Sequence, residues 1–133
     1  MAIDRSRLHY TCIFLHVSFR AIRQSVDEGP GGDGSPCWLD TGLISMLLGE
    51  MHRCRSEAAS RADLCRALDG AISHVGLLLL QCPGGLDRGQ CRQHLDAIII
   101  PLGHAARLAM PQRPVRGHWH GSARRLFRRL GLG

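Results

Sequence analysis

Apolar residues recur at intervals of three and four along most of this chain, and this spacing restricts its fold more than any other feature. The most regular stretch lies between Ser60 and Cys82. Its apolar residues are Leu64, Leu68, Ala71, Ile72, Val75, Leu78 and Leu79. Because an α-helix has about 3.6 residues per turn, these side chains share one face, opposite Arg66, Asp69 and Ser73. The spacing predicts an amphipathic helix.

Three further stretches show the same spacing. In the first, residues 8–26, the stripe is Leu8, Cys12, Leu15, Phe19, Ile22 and Val26. In the second, it is Leu43, Leu47, Met51 and Cys54, widened by Ile44, Met46 and Leu48. In the third, it is Cys91, Leu95, Ile98, Ile99, Leu102, Ala105, Ala106 and Ala109. Residues 8–26 are also rich in β-branched and aromatic residues, so a strand is the alternative there, but the spacing favours a helix.

Capping residues mark where three of these helices begin. Asp40 or Thr41 can cap the second helix, because a short polar side chain accepts hydrogen bonds from the first free N–H groups. "SRAD" (60–63) resembles a capping box, with Asp in place of the usual Glu. Asp87 and Gln90 offer another capping box for the last helix.

These elements predict an all-α fold, a small antiparallel bundle of three to four helices with a short basic C-terminal helix or tail. At 133 residues the chain can bury one core but is too short to divide into two domains. We predict the bundle over residues 1–110, with a linker at 27–36, where four glycines and two prolines cannot continue a helix. Residues 111–133 are predicted to be a basic, flexible tail.

The net charge of the chain comes entirely from this tail. All 11 acidic residues lie between Asp4 and Asp96, and 11 arginines lie at or before Arg107, so residues 1–110 are formally neutral. The excess of +6 comes from Arg113, Arg116, Arg124, Arg125, Arg128 and Arg129. The protein is therefore a neutral body with a basic tail.

The tail is a candidate binding segment, because its arginines surround a small apolar face that includes Leu126 and Leu130. Its predicted contact residues are Trp119, Arg124, Arg125, Phe127, Arg128 and Arg129. An anionic membrane surface, nucleic-acid phosphate or an acidic groove of a protein would fit this pattern. A solvated basic terminus that aids solubility is the alternative.

Histidine and cysteine spacing raises the hypothesis of a metal sensor. His9, Cys12 and His16 lie towards one side of the first helix, and Cys91 and His94 are neighbours on the last. A metal bound by Cys91 and His94 would need further ligands from another helix, and the sequence identifies none. Core cysteines flanked by histidines are the favoured interpretation, so we predict no metal and no cofactor.

The six cysteines form no CxxC pair and mostly fall within helical patterns, which favours a reducing cytoplasm over a secreted disulfide scaffold. Cys54 and Cys65, and likewise Cys82 and Cys91, flank predicted turns between helices, so each pair could approach. A redox sensor is therefore a third hypothesis, and separately buried thiols are the simpler interpretation. No apolar stretch approaches the roughly 20 residues that span a bilayer.

Catalytic motifs are not evident in this sequence. "GGLDRGQ" follows a helix and lacks the Gly-Lys-Ser/Thr ending of a phosphate-binding loop. No serine lies in a G-x-S-x-G setting. We therefore predict a protein that is not an enzyme and has no small-molecule substrate.

The first helix is apolar on nearly all sides, since Tyr10, Ile13, Phe14 and Val17 lie opposite its main stripe. Such a helix is either central or covered by a partner. We predict a protein partner, with a homodimer as an alternative. The predicted partner-binding residues are Leu8, Leu15, Phe19, Ile22, Ile98, Ile99 and Leu102. Pro101 should kink the last helix beside them.

Several phrases of the sequence resemble the bacterial flagellar secretion chaperones related to FliS, the flagellin export chaperone. "SPCWLDTGLISMLLGEM" (35–51) is similar to the opening helix of that family, and "RALDGAIS" (66–73) to its second helix. The Gly-Gly turn followed by "HLDAI" (94–98) resembles the start of its third. The resemblance implies a non-enzymatic helical chaperone that covers the helical terminus of an aggregation-prone secreted subunit.

Our leading prediction is thus a helical interaction protein, a secretion chaperone or an adaptor, that binds an amphipathic helix of a partner. The first alternative is a regulator that binds nucleic acid or a membrane surface through its Arg-rich tail. The second is the metal or redox sensor.

Overall fold

The computed structural model describes residues 5–82 and 84–111, and these residues form four α-helices and no strand. Helix α1 is Arg5–Glu28, α2 is Thr41–Glu57, α3 is Ala62–Gln81 and α4 is Arg88–Leu108. The predicted all-α fold is confirmed for this part of the chain. The stretch for which a strand was the alternative is α1.

Each helix packs against two neighbours, in the ring order α1, α2, α3, α4 and back to α1. The most extensive packing joins α4 to α1 and to α3. Helices α1 and α4 are antiparallel, because His9 lies beside Ala106 whereas Arg23, further along α1, pairs with Asp96, earlier in α4. The bundle is closed by contact between its first and last helices.

One continuous hydrophobic core fills the space between the helices. The predicted apolar stripes contribute most of the core residues. The prediction for α2 is corrected, because Leu43 and Met46 are exposed. The core side of α2 is instead formed by Ile44, Leu47, Met51 and Cys54. These four residues follow the helical repeat without a break, so the stripe begins one residue later than predicted.

Two of the predicted caps are confirmed. The carboxylate of Asp40 accepts a hydrogen bond from the backbone N–H of Leu43 at 3.0 Å. The carboxylate of Asp87 accepts one from the N–H of Gln90 at 2.8 Å, and the Gln90 side chain accepts one from the N–H of Asp87 at 3.0 Å. This reciprocal pair is a complete capping box.

The capping box predicted at residues 60–63 is wrong. The N-cap of α3 is Arg61, whose side chain makes no capping hydrogen bond. Asp63 accepts instead from the N–H of Leu64 at 2.8 Å and forms an ion pair with Arg61 at 3.2 Å. The Asp63 carboxylate still stabilises α3, because it lies in the first turn, at the positive end of the helix dipole.

The segment between α1 and α2 is residues 29–40, rather than the predicted linker 27–36. It lies across the turn between α3 and α4 and is held there by Arg88. The buried guanidinium of Arg88 donates hydrogen bonds to the backbone carbonyls of Pro30 and Gly31. The glycine-rich segment is therefore bound to the body of the bundle.

Helix α4 continues through Pro101, and all four carbonyls of its last turn have hydrogen-bond partners. Backbone N–H groups just beyond the helix serve two of them. His9 of α1 contacts the carbonyl of Ala106 at 2.9 Å, and Arg61 donates to the carbonyl of Leu108 at 3.0 Å. These two bonds tie the end of α4 to the starts of α1 and α3. The kink at Pro101 stays a prediction.

Candidate protein-interaction surface

Four apolar side chains of α1 point away from the core. Their exposed fractions are 68% for Tyr10, 36% for Ile13, 49% for Phe14 and 55% for Val17. They stand at positions i, i+3, i+4 and i+7, so they occupy one side of the helix over two turns. We call these four residues the α1 apolar face. Nothing within residues 5–82 and 84–111 covers it.

Most of the residues predicted to bind a partner lie in the core instead, and the prediction is corrected for them. These five are at most 3% exposed: Leu8, Leu15, Phe19, Ile98 and Leu102. They pack against other helices, so a partner could reach them only if the bundle opened. Ile22 and Ile99 are partly buried, and each lines a surface groove.

A groove of about 570 Å³ runs between α1 and α4 beside the α1 apolar face. Val17, Arg20 and Gln24 line one wall, and Asp96 and Ile99 line the other. We call it the α1–α4 groove. Val17 belongs to both the groove and the α1 apolar face, so the two surfaces are continuous.

The close approach of α1 to α4 depends on a glycine. A β-carbon at Gly103 would lie 3.1 Å from Nε2 of His16, so the absence of a side chain lets the imidazole lie against the α4 backbone. Burial lowers the pKa of His16, and the nearby charges of Arg20 and Arg107 lower it further. The His16 ring is therefore neutral at pH 7.

Charge is distributed unevenly along the groove. At the end nearer the linker, Arg23 holds two carboxylates, those of Asp27 at 2.8 Å and Asp96 at 2.6 Å. Away from that end, Arg20 lines the groove, and Arg107 lies near His16 on the α4 side. Both arginines are within 4 Å of no carboxylate among the residues that the structure describes. The surface beside the α1 apolar face is therefore basic.

Other exposed apolar side chains form smaller groups. Leu77 and Leu80 of α3 are exposed within a single turn. Ile100 is exposed on α4. Trp38 is exposed beside a second groove, of about 420 Å³, which Ile22 also lines. Trp38 is not among the predicted binding residues, although a tryptophan outside every helical stripe was a usable signal.

All six cysteines are free, and five of them are buried, while Cys82 is partly exposed. The Sγ atoms of Cys12 and Cys54 lie 3.7 Å apart and join α1 to α2. This shared hydrogen bond, together with burial, raises the pKa of Cys54. Cys65, which was predicted to approach Cys54, lies near enough to raise the pKa of Cys54, and its own thiol donates to the carbonyl of Ala58 at 3.1 Å.

The other predicted cysteine pair, Cys82 and Cys91, has Cys37 as a third neighbour. Burial raises the pKa of both Cys82 and Cys91, and the Cys37 thiol raises it further. Thiols that stay protonated at neutral pH react slowly with oxidants, because the thiolate is the nucleophile. The redox hypothesis stays a prediction, and Cys82 is the thiol that it would have to involve first.

Two of the residues considered as metal ligands have other partners. His9 contacts a backbone carbonyl of α4, and Cys12 contacts Cys54. Within the described ranges, no group of three or more His, Cys, Asp or Glu side chains is arranged to hold a metal ion.

The predicted tail contacts all lie outside the described residues. They are Trp119, Arg124, Arg125, Phe127, Arg128 and Arg129. Among the helices that the structure describes, none combines the length and the apolar character needed to cross a membrane.

Comparisons with protein-family models, with curated proteins and with solved structures found no match to this chain. The resemblance to the flagellar secretion chaperones therefore stays a prediction. The α1 apolar face and the α1–α4 groove are the surfaces on which a function can be argued.

Proposed function

We propose that this protein is a non-enzymatic helical interaction protein that binds an amphipathic helix of a protein partner. The α1 apolar face is the observation that carries the proposal. Single exposed apolar side chains are common on protein surfaces, but adjacent ones mark interaction sites. Two turns of exposed apolar side chains fit a partner helix that presents its own residues at i, i+3, i+4 and i+7.

Burial of the α1 apolar face would stabilise such a complex. Complete burial of one large apolar side chain contributes about 1.5–3 kcal/mol, so four half-exposed side chains contribute roughly 3–6 kcal/mol before the cost of association. The partner would leave the bundle intact, because the core stripe of α1 lies on the opposite side of the helix.

Two roles would use this surface. If the resemblance to the flagellar secretion chaperones applies, the partner is the helical terminus of an aggregation-prone subunit, held until export. An adaptor between two other proteins would use the same contacts. Either role suits a reducing compartment such as the cytoplasm, because all six cysteines are free.

Site-specific photo-crosslinking in the source cell tests the proposal. A photoreactive amino acid at Phe14 should give a discrete adduct with a helical protein, whereas the same amino acid at the exposed Leu80 of α3 should not. The triple variant Y10S/F14S/V17S should weaken binding of the captured partner more than tenfold, while L77S/L80S leaves it unchanged. Equal adducts at Phe14 and Leu80, or full binding by the triple variant, would reject the α1 apolar face as the site.

The tail carries a second proposal, which rests on the concentration of all six excess positive charges within residues 113–129. We propose that it binds the phosphates of nucleic acid or of an anionic membrane. Binding should weaken steeply with salt and should be lost when the six tail arginines are replaced by Gln. Binding that survives those substitutions would eliminate this function.

A further inference from the structure

We propose that the partner helix is acidic, with carboxylates beside its apolar stripe that pair with Arg20 and Arg107. This inference rests on the proposed function and adds the chemistry of the partner to it. The occupant that we infer is an amphipathic helix with Leu-like residues on one side and Glu or Asp along one edge.

The first observation is that the basic and apolar surfaces adjoin one another. Arg20 and Val17 line the same groove, and Val17 is also part of the α1 apolar face. Gly103 of α4 packs against His16 of α1. Arg20 follows His16 by one turn of α1, and Arg107 follows Gly103 by one turn of α4. A helix bound to the apolar face would therefore lie with one edge along both arginines.

The second observation concerns the charges of the bundle itself. Each carboxylate of the described residues is engaged in a salt bridge, a helix cap or a side-chain hydrogen bond. Arg20 and Arg107 are within salt-bridge distance of none of them. Two exposed guanidinium groups without carboxylates, beside an uncovered apolar face, complement an acidic partner.

Other occupants fit these charges less well. The tail of this chain contributes all of the excess positive charge, so it would bring like charges to the groove. A second copy bound through the same face would bring its own Arg20 and Arg107 to the interface, which adds positive charge there. A lipid bilayer is flat, whereas Val17 and Ile99 line a groove. An acidic helix is the occupant that both satisfies the arginines and enters the groove.

Three synthetic helical peptides of 18 residues test the inference with the full-length protein. All three share one Leu stripe at positions i, i+3, i+4 and i+7, and their flanking residues are Glu, Gln or Lys. Each is titrated against the wild type, R20E/R107E, R20Q/R107Q and R66E. The last variant is the matched control, because Arg66 is exposed on α3, has no carboxylate within 4 Å in the described part of the chain, and lies on a helix that does not pack against α1.

We expect the Glu peptide to bind the wild type roughly tenfold or more tightly than the Lys peptide, with a preference that shrinks as salt rises. R20Q/R107Q should remove most of this preference, and R20E/R107E should reverse it. R66E should change the dissociation constants less than about twofold. All variants keep the basic tail, so binding of the Glu peptide by the tail would be equal in all of them.

The outcomes separate the acidic preference from the proposed function. If the three peptides bind equally and Y10S/F14S/V17S abolishes all binding, the helix-binding function stands and the acidic preference is wrong. If no peptide binds, and Y10S/F14S/V17S leaves binding of the photo-crosslinked partner unchanged, both the helix-binding function and the acidic preference are wrong. Dimerisation lost in R20E/R107E, or binding of anionic vesicles without binding of the Glu peptide, would assign the face to a second copy or to lipid and overturn the inference.

Discussion

His16 is a side chain on which burial and charge act in the same direction. It lies against the backbone of α4 at Gly103, and the positive charges of Arg20 and Arg107 act on it. All three effects disfavour the protonated ring, so the pKa of His16 in the folded protein lies below its usual value of 6.5. The unfolded chain therefore binds a proton at a higher pH than the folded chain does.

This difference predicts that the protein loses stability as the pH falls through about 6.5, where the unfolded chain takes up the proton first. The free energy of unfolding, measured by urea denaturation between pH 7.5 and 5.5, should fall with pH in the wild type and fall less in H16Q. Asp27 and Asp63 also have lowered pKa values, but their usual value is 3.8, so their effect belongs to lower pH. An identical slope in H16Q would show that His16 is not responsible.

Cysteine exposure gives a second prediction at this scale. In the folded protein, Cys82 should be alkylated by iodoacetamide first, because the other five cysteines are buried. The reaction should be slow at pH 7, since burial raises the pKa of Cys82, and faster at pH 9. Mass spectrometry of the labelled peptides measures the order. Labelling of Cys12 or Cys54 before Cys82 would contradict the packing of α1 on α2.

At the scale of single elements, the helical glycines have two different roles. At Gly70 in α3, an added β-carbon would meet no atom within 4 Å, so the glycine only weakens the helix. At Gly103 in α4, the β-carbon would approach His16, so the glycine sets the distance between two helices.

We therefore predict that replacing glycine with alanine changes the free energy of unfolding differently in the two helices. G70A should stabilise the protein by about 0.5–1 kcal/mol, which is the usual gain in helix propensity. G103A should stabilise the protein less than G70A, or destabilise it, because the new β-carbon must displace His16. Denaturation with urea measures both, and G49A, also at an exposed helical glycine with an open surrounding, is the control for G70A. A larger gain for G103A than for G70A would contradict the tight contact.

At the scale of the whole molecule, Arg88 joins the segment between α1 and α2 to the start of α4. Its guanidinium is bound by backbone carbonyls, and it forms no salt bridge with any carboxylate of the described residues. Such an interaction depends on shape more than on charge, so it should be insensitive to salt.

Replacing Arg88 with Met should cost about 1–3 kcal/mol, because the stem is retained while two carbonyls lose their donors. R92M is the comparison, since Arg92 makes ion pairs with Asp27 and Asp33 near the surface and should cost less than about 1 kcal/mol. Thermal unfolding in low and high salt measures both. Equal losses, or a loss in R88M that disappears at high salt, would show that the segment is not held as described.

The sequence predicted much of what depends on neighbouring residues. The caps at Asp40 and Asp87 were correct, and their partners lie three residues away. The box at 60–63 has the same spacing but was wrong, because Asp63 pairs with Arg61 instead. The site was harder to predict, because α1 is apolar on both sides and its spacing cannot say which side a neighbour covers. The binding role was assigned to residues such as Phe19, which are core. The groove exists because α1 pairs with α4, and local spacing carries no information on such a distant partner.

The pairing of α1 with α4 also has a consequence in time. On a ribosome, α1 emerges before the other three described helices, yet α4, which provides its most extensive packing, is the last of these four to be made. Roughly 80 residues separate the ends of the two helices, which at about 5–20 residues per second corresponds to roughly 4–16 s of synthesis. During that interval, the side of α1 that α4 covers in the folded bundle is open to water and to other chains.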